Sequence, residues 1–223
     1  MSMGPKQAIL AEFAGVARAL GHPHRLDLLE HLGQGERGVD ALAARVGLSV
    51  ANASQHLQHL RRAGLVTNRR DGKFILYRLA DTGVTDLLTA LRQQAERNLA
   101  AVDRIRRGYF ADRDTLEPVS RQELLDRVGA GLVTVLDVRP ADEFGHGHLP
   151  GAVNIPLDDL LDRLAELDPD REVIAYCRGA WCVLAFEAVA TLRAKGRPAR
   201  RLVDGFPEWK AAGLAVAVAG AMA

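Results

Sequence analysis

Cysteine is nearly absent: the 223 residues hold two, Cys177 and Cys182, both in the stretch YCRGAWC. Two thiols cannot form the disulfide framework of a secreted scaffold, and in a reducing compartment such thiols are catalytic, redox-active or metal-binding. Long apolar runs are lacking too. Nothing approaches the roughly 20 uninterrupted apolar residues of a membrane helix. The start, MSMGPKQAILAEFAG, has no basic segment followed by an apolar run and a cleavage site, so it does not read as a signal peptide. A cytoplasmic protein with no membrane partner is expected. Internal repeats and low-complexity segments are also missing. Excess charge is small, +1 overall, but unevenly spread: residues 1–110 carry 16 Lys/Arg against 10 Asp/Glu, and residues 111–223 carry 13 against 18. A basic front and an acidic rear suggest that the front half meets a polyanion.

What is present divides the same way. In the front half, apolar residues recur at helical spacing over Lys6–Leu20, through Ile9, Phe13, Val16 and Leu20. Gly21 ends that run, and Pro23 suits the first turn of a second helix to about Leu32. Val39–Val46 and Val50–Ala63 follow as two further helices, with Ser49 as the N-cap of the latter. Then come two short strands around Asp71-Gly72, a strong hairpin signal. From Val84 to about Tyr109 the spacing is helical again, and a stripe this long must bury its apolar face somewhere, for which a dimer seam is the natural place.

ADRDTLEP, residues 111–118, has no periodicity and ends on proline, which marks a linker between domains at 1–110 and 119–223. Beyond it strands and helices alternate: a helix over 120–128, the strand LVTVLDV, a helix over 157–167, the strand EVIAYC, a helix over 183–195, the strand ARRLVD, and a last helix around Glu208–Lys210. Alternation of this kind gives an α/β domain on a largely parallel sheet.

A helix, a glycine turn, a second helix and a basic hairpin make a helix-turn-helix with a wing. The second helix of such a unit lies in the major groove with its polar side chains at base edges. Here it offers Ser49, Asn52, Ser54, Gln55, His56 and His59, followed by Arg61 and Arg62. Arg69, Arg70 and Lys73 surround the hairpin tip, where cations reach phosphates. The motif L-x-x-L-R-x-A-G-L-V before a DG hairpin, and P-x-R-L-x-x-L-x-x-L in ALGHPHRLDLLEHL, resemble the ArsR family of winged-helix repressors over about residues 8–105. The resemblance implies a mainly α winged helix-turn-helix, a homodimer paired through its first and last helices, and double-stranded DNA with a partly palindromic operator as partner. It also makes Ser54 and Gln55 the base readers, with Ser49 and Asn52 near the backbone. Metal-sensing members carry cysteines or Asp/His/Glu sets in stretches that here read GERGVDALA and DTGVTDLLTALRQQAERNLA, without Cys or His. A metal needs ligands in convergent sets, so no metal and no other cofactor is expected.

A thiol reacts as thiolate and therefore needs a lowered pKa. Cys177 stands at the C-terminal tip of a strand, before a curled loop that leads into a helix. Backbone N–H groups of Arg178, Gly179, Ala180 and Trp181 can converge on its sulfur there, beside the positive end of the helix. Gly179 is the residue expected to let the loop curl. Three segments, LDVRPADEFGHGHLPGAVNIP, the cysteine loop and DGFPEWKAAGLAV, resemble the rhodanese domain in order and spacing over about residues 118–217. That resemblance implies a sulfurtransferase site in which Cys177 takes sulfur from a small donor such as thiosulfate, a polysulfide or a persulfide. It makes Asp137 and Arg139 supports of the fold near the site, and His148 part of a structural turn. Where many rhodaneses carry Arg five residues after the nucleophile, this chain has Cys182. That residue is either a resolving thiol or a small buried filler at a helix start.

The joint expectation is a DNA-binding regulator whose rear domain senses or transfers reactive sulfur. The competing expectation is a sulfurtransferase whose DNA binding is indifferent to the cysteines.

Overall fold

The computed structural model describes residues 4–109, 118–180 and 182–218. They form two compact units, Met1–Leu88 and Thr89–Ala223. The expected linker at 111–118 falls almost wholly outside the described residues.

The first unit begins with α1 (Pro5–Leu20) and α2 (Pro23–Gly33), separated by Gly21 and His22. A two-residue strand, β1 (Arg37–Gly38), leads into α3 (Val39–Arg45) and then α4 (Val50–Arg62). Ser49 caps α4, its hydroxyl accepting the N–H of Asn52. Leu28, Leu29, Leu42, Leu57 and Leu60 are buried together with Val66 and Tyr77 in one apolar cluster. The hairpin β2 (Val66–Asp71) and β3 (Phe74–Leu79) pairs antiparallel, and β3 also holds β1 on its other edge. Asp71 is paired with Phe74, so the loop is Gly72-Lys73 and not Asp71-Gly72. Gly72, with φ of 58°, takes the left-handed conformation that the turn needs. The long helix expected from Val84 to Tyr109 is interrupted at Leu99, giving α5 (Gly83–Asn98) and α6 (Ala100–Tyr109).

In the second unit, α7 (Arg121–Gly129) precedes a four-stranded parallel sheet. Its strands are β4 (Val133–Asp137), β5 (Val153–Asn154), β6 (Glu172–Tyr176) and β7 (Ala199–Arg201), in the order β5-β4-β6-β7. The central strand β6 is buried from Val173 to Tyr176, as its unbroken apolar run requires of a strand covered on both faces. Two helices join these strands, α8 (Ala141–His146) between β4 and β5 and α9 (Val183–Ala194) between β6 and β7, and α10 (Phe206–Ala211) follows the last strand. α9 is built largely of alanine, valine, leucine and phenylalanine, and five of its side chains lie in the core.

Two elements depart from expectation. Over 157–167 there is no α-helix but two short 3-10 turns, Leu157–Asp159 and Leu164–Glu166. Leu160 and Leu167 are buried and pin the segment at two points, while Asp158, Asp159 and Asp162 favour turns over helix interiors. The helix α8 and the short strand β5, in contrast, had no periodic signal.

Candidate thiol site and nucleic-acid interface

In the parallel register Asp137 lies beside Tyr176, so the C-terminal ends of β4 and β6 open on the same edge of the sheet. Ligands of open α/β sheets bind at that edge. Cys177 is the next residue and is 1% exposed. Its carbonyl accepts the N–H of Phe206 at 3.0 Å, and the loop closes through the Cys182 N–H on the carbonyl of Gly179 at 3.1 Å. Cys182 occupies the N-cap position of α9. Both cysteines are free thiols, and Cys177 Sγ lies 3.5 Å from the Cys182 carbonyl oxygen, to which it donates, and 3.8 Å from that of Gly179.

Their acidities are not those expected. Burial pushes the Cys177 thiol well up, although the N–H groups of Gly179 and Ala185 reach its sulfur and work the other way. Cys182 is brought down, first by the S–H of Cys177, and further by the N–H groups of Arg178 and Leu184, against its own burial. In the reduced pair, then, Cys182 is the more acidic thiol and Cys177 the less acidic. The convergent N–H groups are there, but desolvation outweighs them at Cys177.

Arg178 does not face the thiols alone. Its guanidinium makes a bidentate pair with Glu143 of α8, with N–O distances of 2.9 to 3.1 Å. Glu143 is wholly buried. Arg201, from β7, donates to the carbonyls of Ala180 and Leu202 and stacks over Phe186 at 4.1 Å. Ala180 thus serves the loop through its carbonyl, and Trp181 lies outside the described residues. Gly179 is not the glycine that the loop depends on. It has no positive φ, and a Cβ there would meet only Glu208 Oε1 at 3.6 Å. The close approach is at Gly205, where a Cβ would sit 2.2 Å from the Gly179 nitrogen.

Below the loop, Asp137 and Arg139 are both fully buried and paired, with Arg139 Nη2 at 2.5 Å from Asp137 Oδ2. Arg139 Nη2 also donates to the Gly147 carbonyl at 2.8 Å, and the guanidinium lies 4.5 Å over the Phe206 ring. The Tyr176 hydroxyl donates to Asp137 and accepts from the Leu149 N–H. The pair ties the ends of β4 and β6 together and touches neither thiol. His148 stacks on Phe144 and hydrogen-bonds its carbonyl. Glu208 caps α10 by accepting the Gly205 N–H, while its other oxygen takes Arg92 of α5 at 2.8 Å. Glu143, Glu208 and Arg201 had no sequence signal, because each meets the loop only through tertiary contact.

On α4, Ala53, Leu57 and Leu60 point inward, leaving Ser49, Asn52, Gln55, His59, Arg61 and Arg62 exposed and Ser54 half-buried. His56 differs: its ring turns back onto His22 at 4.5 Å and His24 at 6.0 Å, and burial followed by the neighbouring His22 lowers its pKa. It packs where a base reader would point outward. In the wing, Arg69 is paired with Glu36 at 2.6 Å and with Asp71 at 3.1 Å, so a phosphate must displace carboxylates to reach it. Arg70 and Lys73 are exposed at the tip. Among the described residues no group of three His, Cys, Asp or Glu is arranged to hold a metal ion, and no helix is long and apolar enough to cross a membrane.

Comparison with known proteins matches residues 20–69 to a helix-turn-helix domain and residues 120–212 to a rhodanese-like domain. An HTH-type transcriptional regulator of Mycobacterium tuberculosis is 45% identical over 95% of this chain and 92% of its own length. A biofilm growth-associated repressor of Agrobacterium fabrum is 42% identical over 36% of this chain and 68% of its own. Among solved structures, a homodimeric winged helix-turn-helix DNA-binding domain from Mycobacterium bovis is 37% identical, covering 45% of this chain and 94% of that one with a TM-score of 0.42. With 45% identity over nearly the full length of one such regulator, and both domains matched in order, the chain belongs to the HTH-type transcriptional regulators, with an ArsR-type winged helix in front and a rhodanese domain behind.

Proposed function

We propose that this regulator is a homodimeric repressor whose affinity for a partly palindromic operator follows the sulfur state of Cys177. The observation that carries the reading is the Cys177 thiol hydrogen-bonded to the Cys182 carbonyl at the open edge of the sheet, which sets the two cysteines side by side, Cys182 being the more acidic. Cys182 is placed to take the Cys177 proton as Cys177 attacks a sulfane sulfur. The donor's S–S bond breaks, its electron pair leaves with the donor thiolate, and Cys177 becomes a persulfide. Cys182 can then give that proton to the terminal sulfur of the persulfide and attack the Cys177 Sγ, expelling hydrosulfide and leaving a disulfide; the sulfane sulfur is itself the oxidant, so no outside oxidant is needed. Asp137 and Arg139 hold the sheet beneath this chemistry.

For DNA, Ser54 and Gln55 are the base readers, Ser49 and Asn52 lie near the backbone, and Arg61, Arg62, Arg70 and Lys73 meet phosphates. Exposed Ile9, Leu10 and Phe13 on α1 and Leu87 and Leu91 on α5 support a second copy covering these faces, since an apolar patch in water marks an interface. The series Arg92–Glu208–Gly205 supports a route by which α5 feels the loop.

The test is operator binding at fixed salt, because phosphate contacts make affinity salt-dependent. Polysulfide treatment is expected to change the affinity of the wild type about 5- to 150-fold, the usual span of allosteric coupling. Cys177→Ser should bind normally and ignore the treatment. If Cys177 gains sulfur, read by intact mass, while affinity stays put, the rear domain is a sulfurtransferase uncoupled from DNA. A separate prediction concerns reading: Gln55→Ala should weaken operator binding by about 1–3 kcal/mol and leave binding to random DNA nearly unchanged, measured by competition.

A further inference from the structure

The loop next to Cys177 carries one guanidinium among its described residues, and that guanidinium is neutralised. Arg178 is gripped by Glu143 through three contacts of 2.9 to 3.1 Å. The carboxylate is wholly buried and comes from the first turn of α8, so it is held in place by the fold. Arg201, the other guanidinium at the loop, is turned to the carbonyls of Ala180 and Leu202 and to the Phe186 ring. Position 182, where another cation would help hold an anionic donor, is a thiol.

Sulfane donors differ in what they ask of such a site. Thiosulfate brings two negative charges and sulfonate oxygens that need cations and N–H donors as they are stripped of water. An alkyl persulfide brings no oxygens and at most one charge, and an inorganic polysulfide, although a dianion, spreads its charge over a sulfur chain without oxygens to be satisfied. Resting on the reading of Cys177 as the sulfur acceptor, we infer that Glu143 determines donor class: by cancelling Arg178 it tunes the site to persulfides and polysulfides and against thiosulfate. The transfer balances without a co-reactant. Cys177 thiol and an alkyl persulfide give Cys177 persulfide and the alkyl thiol; one S–S bond breaks, one forms, and the leaving sulfur keeps the electron pair and gains the proton.

Glu143 acts through Arg178 and touches no donor, so the readout must be selectivity and not rate alone. Full-length protein is treated with inorganic polysulfide or with thiosulfate, and sulfur addition to Cys177 is followed by intact mass. The wild type should label with polysulfide much faster than with thiosulfate. Glu143→Gln keeps the side chain's shape and removes its charge. It should raise the thiosulfate-to-polysulfide rate ratio at least about tenfold, as expected for a unit charge released a few ångströms away. Adding Arg178→Gln to that variant should return the ratio to the wild-type value. An unchanged ratio in Glu143→Gln, whatever happens to the absolute rates, overturns the inference, as does a wild type that takes sulfur equally well from both donors. Absence of labelling from either donor overturns instead the assignment of Cys177 as the acceptor.

Discussion

Gly205→Ala is expected to displace the thiol loop and to cost the rear domain at least about 3 kcal/mol, the upper part of the usual range for overpacking. A Cβ at this position would lie 2.2 Å from the nitrogen of Gly179, 2.4 Å from the carbonyl carbon of Arg178 and 2.5 Å from the Gly179 Cα. All three are backbone atoms of the loop between the cysteines, so no flexible side chain can move aside. The glycine's φ of −105° is open to any residue, and the entire penalty is therefore steric. The Phe206 N–H that holds the Cys177 carbonyl follows directly in the chain, and a shift here moves Cys177 itself. Gly179→Ala is the control: its Cβ would make ordinary contact with Glu208 at 3.6 Å, and a glycine replaced without strain is neutral or gains a few tenths of a kcal/mol from the unfolded chain. Urea unfolding and the rate of iodoacetamide labelling at the two cysteines measure both effects. Equal damage from the two variants would mean that the loop yields to Gly205 and that its own backbone conformation is what matters.

That contrast illustrates what the residues disclose by themselves. The glycine between the two cysteines suggested a curl that requires it, whereas the close packing comes from a glycine on another segment, visible only once β6 and α10 lie side by side. The same holds for Glu143, which is 35 positions from Arg178 in the chain and looks like any acidic residue in a helix's first turn. Periodic signals carried further. The stripe of Ala53, Leu57 and Leu60 reports the buried face of α4 because a helix repeats its neighbours every three to four residues. The run from Val173 to Tyr176 reports a strand covered on both sides. Periodicity misled where short-range chemistry competes with it: leucine spacing over 157–167 predicts a helix, but three aspartates and two buried anchors produce turns. His56 fits the polar face of α4 by count, and its ring, half-buried, also lies beside two histidines at the start of α2. Charge on a cysteine is the least legible property, since burial and a second thiol decide it together.

Asp137→Ala should be about as damaging as the glycine variant, at about 3–5 kcal/mol, because it takes from a buried guanidinium the carboxylate hydrogen-bonded to it. Asp137 accepts the backbone N–H of Arg139 at 3.0 Å, the Nε at 3.0 Å and the Nη2 at 2.5 Å, and also the Tyr176 hydroxyl. The Gly147 carbonyl and the face of Phe206, which the Arg139 guanidinium also meets, carry no charge that could stand in for this carboxylate. Both tryptophans of the chain, Trp181 and Trp209, stand in the rear half, so tryptophan fluorescence in a urea titration follows that domain without the DNA-binding one. Two domains need not unfold together, and this probe avoids averaging their transitions. The decisive comparison is Asp137→Ala with Arg139→Met added. If the stranded charge is what hurts, removing it should recover a good part of the loss, since a buried pair replaced by apolar groups of similar size is often close to neutral. If the double variant is as unstable as the sum of the singles, the two residues contribute through packing and hydrogen bonds made independently. Because the pair joins the ends of β4 and β6 and reaches neither sulfur, Asp137→Asn, which keeps the shape and part of the bonding, should retain sulfur uptake at Cys177 under conditions where it stays folded.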